Sequence, residues 1–151
     1  MKQLLLTISI ALMAISVIAQ NKGEVNVSSK VKAELKSLYP DAKAVKWSSH
    51  DEGKIDASFK IKGKRIHAGF NADTLFSIMT EIHKRKLPEA VKDHLKTYYK
   101  GYSIVQTYEM KLSPKAQDKS IHYWIGLKKG HKETVIVCYA DGTEMTGFTK
   151  K

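Results

Sequence analysis

Apolar and polar residues alternate most cleanly in two stretches that read as hairpins. Ile55, Ala57, Phe59 and Ile61 interleave with Asp56, Ser58, Lys60 and Lys62. After Gly63 the pattern resumes with Ile66, Ala68 and Phe70 against His67, Gly69 and Asn71. A period of two marks strands with one buried and one open face, as antiparallel sheets allow. Farther along, Tyr102, Ile104, Tyr108 and Met110 fall on one face, followed by Ile121, Tyr123, Ile125 and Leu127. That phase turns His122 and Trp124 toward water, and His67 faces the same way from its own strand. Two places resist the pattern. Leu75-Phe76-Ser77-Ile78-Met79 fits either face, and Val45 aligns with Val105, which alternation assigns to the polar side. A one-residue bulge near there would reconcile them.

A helical period appears twice. Val31, Leu35 and Leu38 form one apolar stripe, with Ser28 or Ser29 to cap its start and Pro40 to stop it. Val91, Leu95 and Tyr98 repeat the stripe, with Pro88 in the first turn and Gly101 after the last. Val31–Tyr39 lies over Val91–Tyr99 at a constant offset of 60, with five of nine residues identical. The offset grows to 67–68 where Lys60–Lys64 meets Leu127–Lys132 and Ala72-Asp73 meets Ala140-Asp141, so the second copy carries a longer loop at 113–118. Self-similarity of this kind predicts repeated units. The expected fold class is α+β: two tandem helix-plus-antiparallel-meander repeats, about 28–82 and 87–148, with the sheet covered on one face by helices.

The N-terminus changes the picture of where the chain works. Lys2 supplies a positive charge, Leu4 to Ala19 run without one, and Val17-Ile18-Ala19 are residues a signal peptidase reads before Gln20. Residues 1–19 are therefore expected to be a signal peptide and 20–27 a linker, leaving a chain that does not span a membrane. The apolar run is shorter than the roughly 20 residues a membrane helix needs. Periplasmic or secreted location follows. Charge is the strongest bias: 26 Lys and Arg against 15 Asp and Glu, for a formal net charge of +11, almost all of it from lysine. Such a surface attracts anionic groups, but export argues against nucleic acid as a partner.

Catalytic chemistry finds no foothold. Six histidines, His50, His67, His83, His94, His122 and His131, form no His-x-His or His-x-x-x-His pair. There is no nucleophile elbow and no phosphate-cradling glycine loop. Cys138 lies inside the apolar run Thr134–Tyr139, where it reads as a small buried hydrophobe. The chain is thus expected to be no enzyme, with no metal and no cofactor.

The helix ending Leu38-Tyr39-Pro40, then Ala44-Val45-Lys46-Trp47, then an alternating strand pair, resembles the PepSY-like family of periplasmic proteins. Those are similar to the beta-lactamase inhibitor protein (BLIP). Leu87-Pro88, Gly101-Tyr102 and Tyr139-Ala140-Asp141-Gly142 add to the resemblance, which covers residues 28–148. It implies a non-catalytic binding role, as inhibitor or regulator of an envelope enzyme or peptidase, and no cofactor. Calcium binding through acidic turns is suspected in some relatives. Here Asn71-Ala72-Asp73-Thr74 and Asp141-Gly142-Thr143-Glu144 lack the dense oxygen set that calcium needs.

Two candidate surfaces result. The first is the water-facing side of the sheet, centred on Trp124 with His122 and His67 beside it, and fits an envelope or extracellular protein or peptide. Tryptophan is a frequent anchor of such interfaces, and Trp47, which shares a face with Val45, reads as core instead. The second is the pair of hairpin tips, with Lys60, Lys62, Lys64 and Arg65 around Gly63 and Lys128, Lys129 and Lys132 around Gly130. These fit an anionic glycan or lipid head group. They also serve simply to keep sheets from aggregating.

Overall fold

The computed structural model describes residues 25–50, 53–113 and 120–145. The expected signal peptide, the start of the linker, the loop beyond Ser113 and the last residues of the expected domain lie outside the described residues.

Helix α1 (Ser29–Leu38) is opened by Ser28, whose Oγ accepts the Val31 N–H at 3.3 Å and donates to Asp73 Oδ1 at 2.6 Å. Helix α2 (Glu89–Tyr98) starts after Pro88, where a missing N–H leaves no helical bond unmade. Both helices bury two residues, Val31 and Leu35 in one, Val91 and Leu95 in the other. The third position of the expected stripe is different: Leu38 is 44% and Tyr98 72% exposed. The next residues, Tyr39 and Tyr99, pack into the core in their place. Both are C-caps, with φ of −137° and −119°, so the chain leaves helical geometry there. That departure breaks the helical advance on which the stripe rests.

Seven strands follow in order: β1 (Lys43–Ser49), β2 (Lys54–Ile61), β3 (Lys64–Asn71), β4 (Thr74–Glu81), β5 (Ser103–Leu112), β6 (Ile121–Lys129) and β7 (Lys132–Tyr139). They form one sheet, ordered β1 to β7 as in the chain, each antiparallel to its neighbour. This corrects the expectation of two tandem helix–meander repeats. β4 pairs with β5 from Ser77↔Leu112 to Glu81↔Tyr108, so the fold is a single sheet with two helices. The repeat signal came from helix stripes and hairpin tips, which are local. Pairing between β4 and β5 spans α2 and leaves no mark in either strand's own pattern.

Three irregularities set the faces. Register shifts between Lys43 and Lys46 in β1, where Ala44 has φ of 51°, and Val45 and Trp47 then both pack into the core beside α1. A second shift lies between Gly69 and Phe70. The third, between Ile104 and Gln106, turns Tyr108 and Met110 away from the side that Ile104 occupies. The expectation that all three share a face is thereby corrected, by the bulge that the Val45–Val105 conflict pointed to.

Two apolar clusters lie on one side of the sheet. Under α1, Val31 and Leu35 meet Phe59, Ile66, Ala68 and Phe70. Under α2, Val91 and Leu95 meet Ile125, Leu127, Ile136 and Cys138. Cross-strand pairs run from Ile66 through Thr80, Glu109 and Tyr123 to Cys138, which places both clusters on the same face. Cys138 is fully buried, and burial raises its thiol to about 11, so it stays protonated. After β7 the chain turns back: Met145 N–H donates to the Val137 carbonyl at 2.8 Å, which covers the last residues of that edge. Glu144 fastens the return to α2 by accepting from Tyr99 Oη at 2.8 Å and meeting His94 Nε2 at 3.1 Å. Among the described residues no helix is long and apolar enough to cross a membrane.

Candidate binding face

The side of the sheet without helices carries the first set of candidates. Trp124 on β6 stands opposite Tyr108 on β5 and Val137 on β7. Its ring meets that of Tyr108 edge-on, with centroids 5.6 Å apart and planes at 74°. Tyr108 in turn meets His67, centroids 5.4 Å apart at 82°, and its hydroxyl lies 3.3 Å from His67 Nε2. Edge-to-face contacts of this kind add to area burial because ring edge and ring face carry opposite partial charge. Three rings from β3, β5 and β6 thus form a ladder across the sheet.

Exposure on this ladder differs from what alternation predicts. His67 is 8% exposed, Tyr108 2%, and Trp124 is half-buried. Trp124 leans along its own strand: a β-carbon at Gly126 would meet its ring and a Val105 methyl at 3.4 Å each. Val105, the bulge residue, is 57% exposed and brings an aliphatic group beside the indole. Met79 and Met110, both half-buried, pair across β4 and β5 on the same face. His122 lies on this side too but is 1% exposed, packed 5.0 Å from the Tyr139 ring with Nε2 3.1 Å from Ser120 Oγ. The outward surface is therefore Trp124 and Val105, with His67 and His122 supporting from beneath. Tyr108 and Val105 were not singled out from the sequence. The only signal for them was the phase conflict at Val105.

Electrostatics around the ladder are mild. Burial first, and the Arg65 charge second, hold the His67 imidazole below its ordinary range, while Glu81 works against them. His67 is accordingly neutral near pH 7, and its Nδ1 has no hydrogen-bond partner among the described residues. Burial raises the Tyr108 phenol, so it remains a donor. Gln106 Nε2 donates to that hydroxyl, and Glu81 accepts from the Arg65 backbone N–H at 3.3 Å. Toward β1 the same face turns polar, with Lys46 and Ser48 exposed and His50 paired to Asp56 at 2.6 Å. Among the described residues no three His, Cys, Asp or Glu side chains converge as a metal site would require.

The basic tips sit at one end of the sheet, because β2–β3 and β6–β7 are turns of the same sense in an alternating meander. Lys62 and Gly63 have φ of 49° and 78°, the left-handed pair a tight hairpin demands. Lys60 and Lys64 are exposed, Arg65 half-buried beside Glu81. At the other tip Lys128 pairs with Glu133 at 2.9 Å, Lys129 Nζ lies 5.6 Å from the Tyr102 ring centroid, and Lys132 is exposed. Four strand steps of about 4.8 Å separate the tips, roughly 19 Å in all. That distance is too wide for both to grip one small anionic group.

The arrangement matches solved structures at the level of fold. It is similar to a DUF2874 family protein from Bacteroides uniformis, at 22% identity over 80% of this chain and 87% of that one, with a TM-score of 0.67. A BLIP-like protein from Bacteroides fragilis matches at 20% identity over 86% and 89%, with a TM-score of 0.65. A chain from Bacteroides eggerthii described as periplasmic matches at 19% over 80% and 86%, with a TM-score of 0.68. No family model matches the sequence, and no curated protein does. The likeness therefore supports a BLIP-like fold and gives no support to membership of the PepSY-like family.

Proposed function

We propose that this is an exported, non-catalytic binding protein whose helix-free sheet face takes a protein or peptide of the cell envelope. Its effect on that partner is that of an inhibitor or regulator. The observation that carries this reading is the Trp124–Val105 surface, held over a buried Tyr108–His67 pair. An indole braced from beneath is a preorganised anchor: little side-chain freedom is left to lose when a partner covers it. The fold likeness to a BLIP-like protein and to a chain described as periplasmic supports the same role and place.

Partner capture from envelope extract, compared across variants, tests it. Trp124→Ala and Val105→Glu should each lose a partner that the unmodified protein and Lys62→Glu/Lys64→Glu retain. Retention should persist at high salt, since an aromatic-centred interface is weakly screened. A partner held equally by all four proteins, or released by salt alone, sinks the face. An intact Met1 on the exported protein sinks export.

A further inference from the structure

A second candidate site lies on the helix side, at the end of the sheet where β4 runs into α2 and α2 into β5. A short 3-10 helix, Lys84–Lys86, follows β4, and its backbone is fixed at both ends. His83 Nδ1 accepts from the Arg85 N–H at 3.2 Å, and the next residue, Leu87, is buried under α2. Between this turn, the α2 face and the start of β5 is an open-mouthed, shallow cavity of about 630 Å³. Its floor is apolar, made by Leu95, Ile104 and Leu127. Tyr99 and Tyr102 stand beside it edge to face, centroids 5.9 Å apart at 80°. Its rim is cationic: Lys84, Arg85, Lys92, Lys96 and Lys100, with no carboxylate in the lining.

The five cations are not equivalent. Lys92 and Lys96 are already paired at 2.9 Å with Glu89 and Asp93 on the exposed flank of α2. Lys84, Arg85 and Lys100 have no carboxylate partner among the described residues, and they line the same cavity from the turn before α2 and from the residues after its end. Their like charges sit together on a short segment and a helix C-terminal turn. A solvated lysine face has no use for an apolar floor, and an apolar pocket has no use for an uncompensated basic rim. The volume falls in the range of small-ligand sites, about 300–1,000 Å³.

We propose that this cavity binds a monomeric anionic amphiphile, a phosphate or carboxylate head on an apolar chain. The head lies among Lys84, Arg85 and Lys100, and the first carbons lie on Ile104, Leu95 and Leu127. The site is independent of the Trp124 face, which is on the other side of the sheet.

Titration of the purified protein with dodecyl phosphate below its micelle concentration tests this, with NMR shifts of Ile104 and Tyr102 as the readout. Saturable one-to-one binding is expected, against no comparable response to inorganic phosphate or dodecyl phosphocholine. Arg85→Glu/Lys100→Glu should weaken binding by about tenfold or more, since two attractions near the head become repulsions. Lys43→Glu/Lys46→Glu, the same change of charge on edge strand β1, three strand steps or about 14 Å beyond β4, should leave affinity within about twofold, because screening acts over about 10 Å. All four positions are exposed, so each variant should keep its melting temperature. Equal losses from both double variants would mean diffuse charge and overturn the pocket. Equal binding of dodecyl phosphocholine would overturn the role of the anion. Binding to anionic phospholipid vesicles with none to the monomer would assign the rim to a membrane surface instead and overturn the proposal as well.

Discussion

The two ends of the sheet are alike on the helix side and unlike on the other. Under α1 and under α2 the same three-residue contact recurs: Val31, Leu35 and Tyr39 in one, Val91, Leu95 and Tyr99 in the other. Across the sheet, β1 and β2 present Lys46, Ser48 and the His50–Asp56 pair, whereas β5 to β7 present Tyr108, Trp124 and a buried Val137. The helix side answers to packing, which tolerates little variation in volume. The open side has no helix to pack against, and there the halves have separate characters. The proposed binding role falls on the β5–β6 half, where a large aromatic is braced by buried neighbours.

Core truncation gives the largest test of the shared side. Phe70→Ala, under α1, and Ile125→Ala, under α2, each remove a side chain with at most 2% exposure. Each should cost about 2–5 kcal/mol, measured by urea or thermal unfolding. Because one continuous sheet joins the clusters, both variants should unfold in a single transition. Two separated transitions would show that the β4–β5 pairing does not couple the halves.

Much of the helix side was legible in the chain and much of the open side was not. Alternation in β2, β3 and β6 assigned Ala57, Phe59, Ala68, Phe70, Ile125 and Leu127 to the core, where they lie. Alternation is a property of consecutive residues, so it survives as long as the strand is regular. The bulge at Ile104–Gln106 is one extra residue with no compositional signature, and it moved Tyr108 and Met110 across the sheet. His122 shows the other limit. Its side of the strand was readable, but its burial depends on Tyr139 of β7 and on what else covers it, which no pattern within β6 records.

The turns that dock against the helices offer the next contrast. Asp73, after β3, reaches α1 through a side-chain bond to Ser28, whereas Gly142, after β7, reaches α2 by bare backbone. A β-carbon at Gly142 would lie 2.7 Å from the Ala90 carbonyl oxygen, and its φ is 86°. Gly63 has a similar φ of 78° but open space around it. Left-handed backbone alone costs an L-residue about 1–2 kcal/mol. Gly63→Ala should therefore lose about that much, and Gly142→Ala clearly more, because helix or turn must also shift. Equal losses would mean that the Gly142 contact relaxes freely.

Acid should act on the open side more than on the helix side, through His67. Burial and Arg65 lower its pKa from 6.5, against the opposing charge of Glu81. The unfolded chain then takes up a proton near pH 6.5 that the folded chain refuses until a lower pH. Its contribution is intact above the unfolded pKa and is lost as pH falls through the folded one. The urea midpoint should drop as pH falls below about 6.5, and His67→Gln should flatten that drop. Asp56, whose carboxyl is raised chiefly by burial, has the opposite sign and acts only in the more acidic carboxylate range. A wild-type slope that survives His67→Gln would place the proton elsewhere.

The smallest expected effect tests the helix stripe itself. A purely helical period makes Leu38 and Tyr98 the third contact of each helix, yet they are 44% and 72% exposed. The contact belongs to Tyr39, whose ring packs 5.0 Å from Phe59, and to Tyr99, which donates to Glu144. Leu38→Lys and Tyr98→Lys should then change stability by no more than about 0.5 kcal/mol, as surface substitutions do. Tyr99→Phe keeps the ring and removes one hydrogen bond to a carboxylate, for a loss of about 1.5–3 kcal/mol in thermal unfolding. The reverse order, a costly Leu38→Lys beside a silent Tyr99→Phe, would restore the helical stripe. It would also remove the return segment at Glu144 from the forces holding α2 to the sheet.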